Sequence, residues 1–120
     1  MERVKFIDYK GKKILLEDFS GLKPGEEFDK TLEEARKTIH SQPEHSVLAL
    51  FDASDGYFDQ DVMNKMKDFT KSNNPYMKAA AVVGITGLLK IALITVTKVA
   101  GRDFKTFNTR DQALEWLVAQ

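Results

Sequence analysis

The beginning of the chain alternates apolar and polar residues on both sides of a short polar segment, "DYKGKK". The apolar positions are Val4, Phe6, Ile14 and Leu16. A period of two is typical of a strand with one buried face. Gly11, between the two runs, can take the positive φ of a tight turn. The pattern therefore predicts an antiparallel β-hairpin.

A helical pattern follows a loop that is rich in glycine and proline. Its apolar positions are Phe28, Leu32, Ala35 and Ile39. Because apolar residues at intervals of three or four fall on one side of a helix, this spacing predicts an amphipathic helix with its charged residues outward. We expect it to run from about Asp29 to Ser41.

Two short, continuous apolar runs come next, "SVLALF" and "KAAAVVGI". Such runs are typical of strands buried on both faces of a mostly parallel sheet. Between them, Val62, Met66 and Phe69 mark a second amphipathic helix. Near the end of the chain, "DFKTF" predicts a short strand. Thr109 with Gln112 then forms a capping box, which predicts the start of a closing helix.

The segment from residue 86 to residue 100, here called the apolar segment, is rich in β-branched residues, which favour strands. Its length and the flanking Gly87 and Gly101 favour a helix instead. Its large apolar residues and one alanine are Leu88, Leu89, Ile91, Ala92, Leu93, Ile94, Val96 and Val99. These residues cover more of the helix surface than the arc of about 100° that an ordinary surface helix buries. Part of this helix would therefore face a lipid or small-molecule groove, a second subunit or a membrane surface. The alternative is that the second helix and the hairpin cover it.

The predicted order of elements is ββαβαβαβα. It places the chain in the α/β class, with a mixed, mostly parallel sheet of about five strands, an N-terminal β-hairpin and helices that cover the sheet. The 120 residues leave no room for a second core, so we expect a single domain spanning residues 1–120.

Composition narrows the possible partners and compartments. Eighteen basic and eighteen acidic residues leave no net charge, so the chain lacks the field that attracts nucleic acid. The absence of cysteine removes disulfides and thiolate chemistry and fits a cytoplasmic protein. The N-terminus has no continuous apolar run of the secretory type. Lys90 and Lys98 interrupt the apolar segment, which is shorter than the ~20 residues of a membrane span. No membrane span is predicted.

The order of elements, "TGLLKI" after a buried strand and the closing "FKTFNTRDQALEWL" resemble STAS domains over nearly the whole chain. The resemblance is to the SpoIIAA-like group of these anti-sigma-factor-antagonist domains. It implies a non-enzymatic binding or regulatory domain that acts through protein contacts, with a homodimer as one form and no cofactor. The group is also similar in topology to the lipid-carrying CRAL-TRIO and SEC14-type domains. That similarity implies an alternative function, a carrier or sensor of an apolar, lipid-like ligand beside the apolar segment.

The antagonists carry a "DLSGV" strand and a "FIDSSG" motif, whose serine at a helix start is phosphorylated by a partner kinase. The matching stretch here is "DASDGYFDQD". Asp52 and Ser54 stand at the aspartate and serine of the first motif, and Phe58 stands at the aromatic of the second. Gln60 and Asp61 occupy the positions of the switch serine, so the chain departs from the pattern there. Ser54 is the candidate phosphorylation site, and the alternative is a serine that bonds its own backbone in a turn.

This stretch contains four aspartates, Asp52, Asp55, Asp59 and Asp61. One hypothesis is a cation or phosphoryl site at the carboxyl end of a parallel strand, where open α/β sheets bind ligands. Their spacing does not fit the calcium loop. The favoured interpretation is that aspartates near a helix start accept hydrogen bonds from its free N–H groups.

The predicted partner or ligand surface combines the loop after the third strand with the apolar segment. Its residues are Asp55, Tyr57, Phe58, Leu88, Leu89, Ala92, Leu93 and Val96. No catalytic residue or metal ligand is predicted. His40 and His45 flank a proline and are interpreted as solvated loop residues, because the sequence has no third histidine for a metal set.

Overall fold

A computed structural model describes residues 2–57, 59–85 and 105–120 and confirms the mixed α/β class. The elements are β1 Val4–Tyr9, β2 Lys12–Asp18, α1 Glu26–His40, β3 Val47–Asp52, α2 Gln60–Asn73, β4 Met77–Val83, β5 Lys105–Phe107 and α3 Arg110–Val118. The apolar segment lies outside the described residues, so its predicted helix stays a prediction. The closing helix α3 begins after Thr109, as its capping residues predict.

The five strands form one sheet in the order β1-β2-β3-β4-β5. β1 and β2 are antiparallel, and the other neighbours are parallel. Lys10 and Gly11 connect the first two strands, both with positive φ, 51° and 82°. Two positive φ values in a two-residue connection are those of a type I′ turn, whose twist suits a hairpin. The predicted β-hairpin is therefore confirmed.

The second strand is more deeply buried than its alternating pattern predicts. The residues from Ile14 to Glu17 are all buried, because β2 has β1 on one side, β3 on the other and helices over both of its faces. The alternation expected of the hairpin is retained only in part by β1. The sequence pattern identified the pairing of the hairpin and missed that its second strand is interior.

Two apolar layers hold the sheet between its helices. The layer under α1 and α2 includes Val4, Leu15, Phe19, Phe28, Ile39, Phe51, Val62, Met66 and Val82. The layer on the face covered by α3 includes Ile14, Leu16, Leu50, Ala81, Leu114 and Leu117. In the first layer the ring of Phe19 stacks on Phe51 at 4.5 Å and meets Phe28 edge-on at 5.4 Å. Phe19 thus connects the end of β2 with β3 and α1.

Helix α1 begins earlier than predicted, at Glu26, with Gly25 as its N-terminal boundary. Glu26, Glu27 and Asp29 all lie in the first turn, where negative charge complements the positive end of the helix dipole. The apolar stripe alone does not reveal this additional turn, because it starts only at Phe28. Among the described residues, no helix is long and apolar enough to cross a membrane.

Candidate functional site

The carboxyl ends of β2, β3 and β4 lie side by side at one edge of the sheet, here called the carboxyl edge. Backbone hydrogen bonds continue the pairing past the strand ends, from Phe19 N–H to the Asp52 carbonyl at 2.9 Å and from Ala53 N–H to the Val83 carbonyl at 2.9 Å. Open α/β sheets commonly bind ligands at such an edge. Side chains and loops that leave these strands are therefore the candidate site.

Asp52 is the buried carboxylate of the carboxyl edge, with a side chain only 7% exposed. Its Oδ2 accepts a hydrogen bond from Arg110 Nε at 2.7 Å, and its Oδ1 accepts one from Ser54 N–H at 2.9 Å. Burial alone would raise the pKa of Asp52, but the hydrogen bonds from Ser54 and the Arg110 guanidinium hold that pKa below its ordinary value. The carboxylate therefore stays ionised and acts as an acceptor.

Arg110 joins Asp52 to a second carboxylate, since its Nη2 lies 3.5 Å from Asp18 Oδ1. On the other side of Asp18, Arg3 Nη1 is 3.9 Å from the same oxygen. Arg3 also donates to the backbone carbonyls of Asp18 at 3.1 Å and Ser20 at 3.0 Å. The series Arg3, Asp18, Arg110 and Asp52, here called the charge chain, alternates in sign. It connects the start of β1, the ends of β2 and β3 and the first residue of α3.

Ser54 follows β3 and is held closely against Gly84, which follows β4. Gly84 has a φ of 83°, and a Cβ added there would lie 2.3 Å from Ser54 Oγ and 2.4 Å from Ser54 N. Only glycine fits this approach. On its other side, the Ser54 carbonyl accepts a hydrogen bond from Gly21 N–H at 2.8 Å. Phosphorylation of Ser54 stays a prediction, and the observed contacts fix its backbone.

The loop 53–57 carries two residues of the predicted partner surface. Asp55 is exposed and takes the left-handed conformation, with a φ of 57°. Tyr57 donates its backbone N–H to the Leu22 carbonyl at 3.2 Å. Its side chain is 61% exposed, and within the described ranges it is the one large hydrophobic side chain that is exposed. The adjacent Phe58 lies outside those ranges.

The four aspartates of this stretch have separate roles. Asp59 is the N-terminal cap of α2 and accepts a hydrogen bond from Val62 N–H at 2.8 Å, so the capping interpretation is confirmed for it. Asp61 lies in the first turn and pairs with Lys65 at 3.3 Å. The capping interpretation is wrong for Asp52, which belongs to the charge chain instead. In the part of the chain that the structure describes, no three acidic or histidine side chains are close enough to hold a metal ion.

The sequence of the chain matches one known protein family over most of its length. The sequence model of the SpoIIAA-like family matches residues 15–118, a range that runs from the second half of β2 to the end of α3 and includes the loop 53–57. The chain belongs to the SpoIIAA-like family. At the level of the family, this SpoIIAA-like domain is a regulatory domain of the STAS type that binds proteins. No curated protein and no solved structure matches the chain significantly.

Other predicted surface residues of this SpoIIAA-like domain fall on the apolar segment. These are Leu88, Leu89, Ala92, Leu93 and Val96, and all of them lie outside the described residues. A groove for a lipid-like ligand beside the apolar segment therefore stays a prediction, as does a homodimer in which this segment forms the contact. Of the surface proposed from the sequence, the structure brings Asp55 and Tyr57 together on one ordered loop.

His40 was expected to be a solvated loop residue, and this expectation is wrong. It lies in the last turn of α1, where its Nε2 is 3.0 Å from Asn73 Oδ1. Its ring also stacks on Tyr76 at 4.6 Å. These contacts join the end of α1 to the end of α2. His45 does lie in an exposed loop, with a φ of 57°.

Sequence reasoning missed three members of the charge chain: Arg3, Asp18 and Arg110. A signal for Arg110 was present, because a cation in the first turn of a helix opposes the helix dipole. Such a residue requires a specific partner nearby. Asp18 and Asp52 each end a strand, so the parallel topology places them on the same edge of the sheet. Taken together, the two signals predict an arginine between two carboxylates.

The capping role of Asp59 can be measured by substitution. We expect Asp59→Ala to lower the free energy of unfolding by about 1 kcal/mol, because the Val62 N–H loses its acceptor. Asp61→Ala is the matched control, since its pair with Lys65 is exposed, and we expect a loss below about 0.5 kcal/mol. Urea denaturation of both variants compares the two losses. Equal losses would contradict a specific cap at Asp59.

Proposed function

We propose that this SpoIIAA-like domain is a regulatory module that binds a partner protein through the loop 53–57, and that it acts by binding and not by catalysis. The observation that carries the proposal is the display of Tyr57. Its side chain is 61% exposed, while its backbone is tied to Leu22. A tyrosine held on a fixed backbone loses little entropy when a partner covers it, and aromatic residues of this kind dominate binding energies at interfaces.

The charge around the loop indicates the chemistry of the partner. The carboxylates of Asp18 and Asp52 are neutralised within the charge chain by Arg3 and Arg110. Asp55 is exposed two positions before Tyr57, so the same loop carries an acidic group and an exposed aromatic side chain. A complementary partner surface combines an apolar pocket for the ring with basic residues at its rim.

The charge chain supports the loop that would make this contact. Asp52 receives the Ser54 N–H on one oxygen and Arg110 on the other. Since Ser54 is the second residue of the loop, the position of the loop depends on where this carboxylate is held. A partner therefore meets a surface that is already ordered, which lowers the entropic cost of association.

The proposal is tested by site-specific photo-crosslinking in the cells that make the protein. A photoreactive phenylalanine analogue is placed at position 57 and, as a control, at position 44. Glu44 is exposed in the loop before β3, at the opposite end of that strand from Tyr57. We expect one discrete cross-linked protein from position 57 and none of the same mass from position 44.

Two results of the cross-linking experiment are decisive: one would identify the partner as a second copy of the chain, and the other would contradict the proposal. A cross-linked product with twice the mass of the chain identifies a second copy as the partner, and sedimentation velocity then measures that self-association. Equal, diffuse labelling from positions 57 and 44 would contradict a partner surface at the loop 53–57.

A further inference from the structure

Glu17 is a buried carboxyl group inside the layer under α1 and α2. It is the penultimate residue of β2 and is 4% exposed. Val4 of β1 lies beside it in register on one side and Phe51 of β3 on the other. Leu15, two positions earlier, points to the same face and is fully buried. The neighbours of Glu17 in this layer of the sheet are therefore apolar.

Within residues 2–57, 59–85 and 105–120, no polar partner satisfies both oxygens of the Glu17 carboxyl group. Its Oε1 is buried and accepts no hydrogen bond from these described residues. A buried polar atom without a partner is costly, and a buried unpaired charge costs far more. The native environment therefore favours the neutral carboxylic acid.

Six charged groups of the bordering elements form ion pairs with one another or with Arg110. They are Arg3, Asp18, Glu27, Asp29, Asp52 and Lys65. Arg3 lies 3.8 Å from Glu27 and 3.9 Å from Asp18. Lys65 of α2 lies 2.8 Å from Asp29 of α1, and Asp52 is held by Arg110 as described above. Burial is accordingly the cause that raises the pKa of Glu17 to about 8.

The sign of the resulting pH dependence follows from proton linkage. The folded state retains the Glu17 proton up to about pH 8, whereas the unfolded chain releases it near the ordinary value of 4.5. The stability from this group is complete below pH 4.5 and is lost as the pH rises toward 8. The loss occurs in the neutral range, where few side chains titrate.

We propose that Glu17 is a proton switch that couples alkaline pH to the opening of the carboxyl edge. The next residue, Asp18, belongs to the charge chain. Phe19 stacks on Phe51 and donates its N–H to the Asp52 carbonyl. When Glu17 ionises, the end of β2 must admit water or separate from its layer. Asp18 and Phe19 move with it, and the support of the loop 53–57 is lost.

The effect on partner binding rests on the proposed function, but the switch itself does not. The test therefore uses the free protein. Carbon-13 NMR of the wild-type chain follows the Glu17 carboxyl carbon from pH 4 to pH 10. We expect this carbon to titrate near pH 8, far above the pH at which exposed glutamates titrate. Titration near the ordinary value of 4.5 would overturn the proposal whatever happens to any variant.

A second arm measures the consequence for folding. Urea denaturation at several pH values compares the wild type with Glu17→Gln, which keeps the shape and removes the titration. Between about pH 5 and pH 7, we expect the folding equilibrium constant of the wild type to fall about 100-fold relative to the variant, tenfold per pH unit. Glu34→Gln, at an exposed position of α1, is the control and should leave the pH dependence unchanged.

Hydrogen exchange locates the opening. As the pH rises from about 5 to about 8, the protection factors of the Phe19 and Ala53 amides should fall in the wild type and stay constant in Glu17→Gln. Identical pH dependence of folding and of protection in the two proteins would overturn the switch. A confirmed switch combined with failed cross-linking at position 57 would leave Glu17 established and reject only the proposed partner surface.

Discussion

Replacing Gly84 by alanine should lower the free energy of unfolding by about 3 kcal/mol and displace Ser54. Two costs add. At a φ of 83°, an alanine is strained by about 1 kcal/mol relative to glycine. The new methyl group would also lie 2.4 Å from Ser54 N and 2.6 Å from Ser54 Cα, and forcing such overpacked backbone apart costs about 1–3 kcal/mol.

Gly11→Ala is the matched control for this substitution. Gly11 has nearly the same φ, 82°, but an added Cβ would have no atom within 4 Å among the described residues other than its chain neighbours. We expect a loss of about 1 kcal/mol from the backbone alone. Urea denaturation measures both losses, and NMR shifts of the Asp52 and Ser54 amides report the displacement. Equal losses in the two variants would contradict the close approach of the strand-end loops.

Replacing Arg110 by alanine should cost about 2–3 kcal/mol. The substitution leaves the buried Asp52 carboxylate with the Ser54 N–H on one oxygen and removes the guanidinium from the other. Loss of one partner of a fully buried pair costs about 3–5 kcal/mol, and the 42% exposure of the Arg110 side chain reduces this value because water screens the pair. Thermal and urea denaturation measure the change.

The same variant should change the acid sensitivity of the fold. Because the pKa of Asp52 is lower in the folded state than its ordinary value of 3.8, its contribution is present above that value and is lost as the pH falls through the lower folded pKa. Arg110→Ala should therefore lose less stability than the wild type on acidification. Arg36→Ala, which removes an exposed pair with Glu33, is the control and should leave the stability nearly unchanged. Equal effects of the two variants would contradict a structural role for the charge chain.

The general architecture could be predicted because buried strands and helices have characteristic local patterns of apolar residues. "SVLALF" and "KAAAVVGI" are apolar without interruption since β3 and β4 are interior strands with a layer on each face. The beginning of α3 could be predicted from Thr109 and Gln112, and Gln112 N–H does donate to Thr109 Oγ1 at 3.2 Å. Such short-range signals depend on neighbours along the chain.

The site could be predicted only in part because its contacts are long-range. Asp52 and Arg110 are separated by 58 positions, so no local pattern relates them. The nearness of Asp52, Asp55 and Asp59 in the sequence indicated one cluster. In the structure, the end of β3, the loop and the first turn of α2 direct them to different partners. Glu17 was missed because an acidic residue at the end of a strand normally indicates an exposed position.

We propose Tyr57, on a loop held by Asp52 and Arg110, as the anchor of the protein-binding surface. The most direct test of this proposal is a calorimetric titration of the cross-linked partner, purified, into the wild type, Tyr57→Ala and the control Glu44→Ala. We expect Tyr57→Ala to raise the dissociation constant about 30-fold, because an anchor residue contributes about 2 kcal/mol to binding. Glu44→Ala should leave the dissociation constant unchanged. Affinities of Tyr57→Ala and wild type within a factor of about two would contradict the claim.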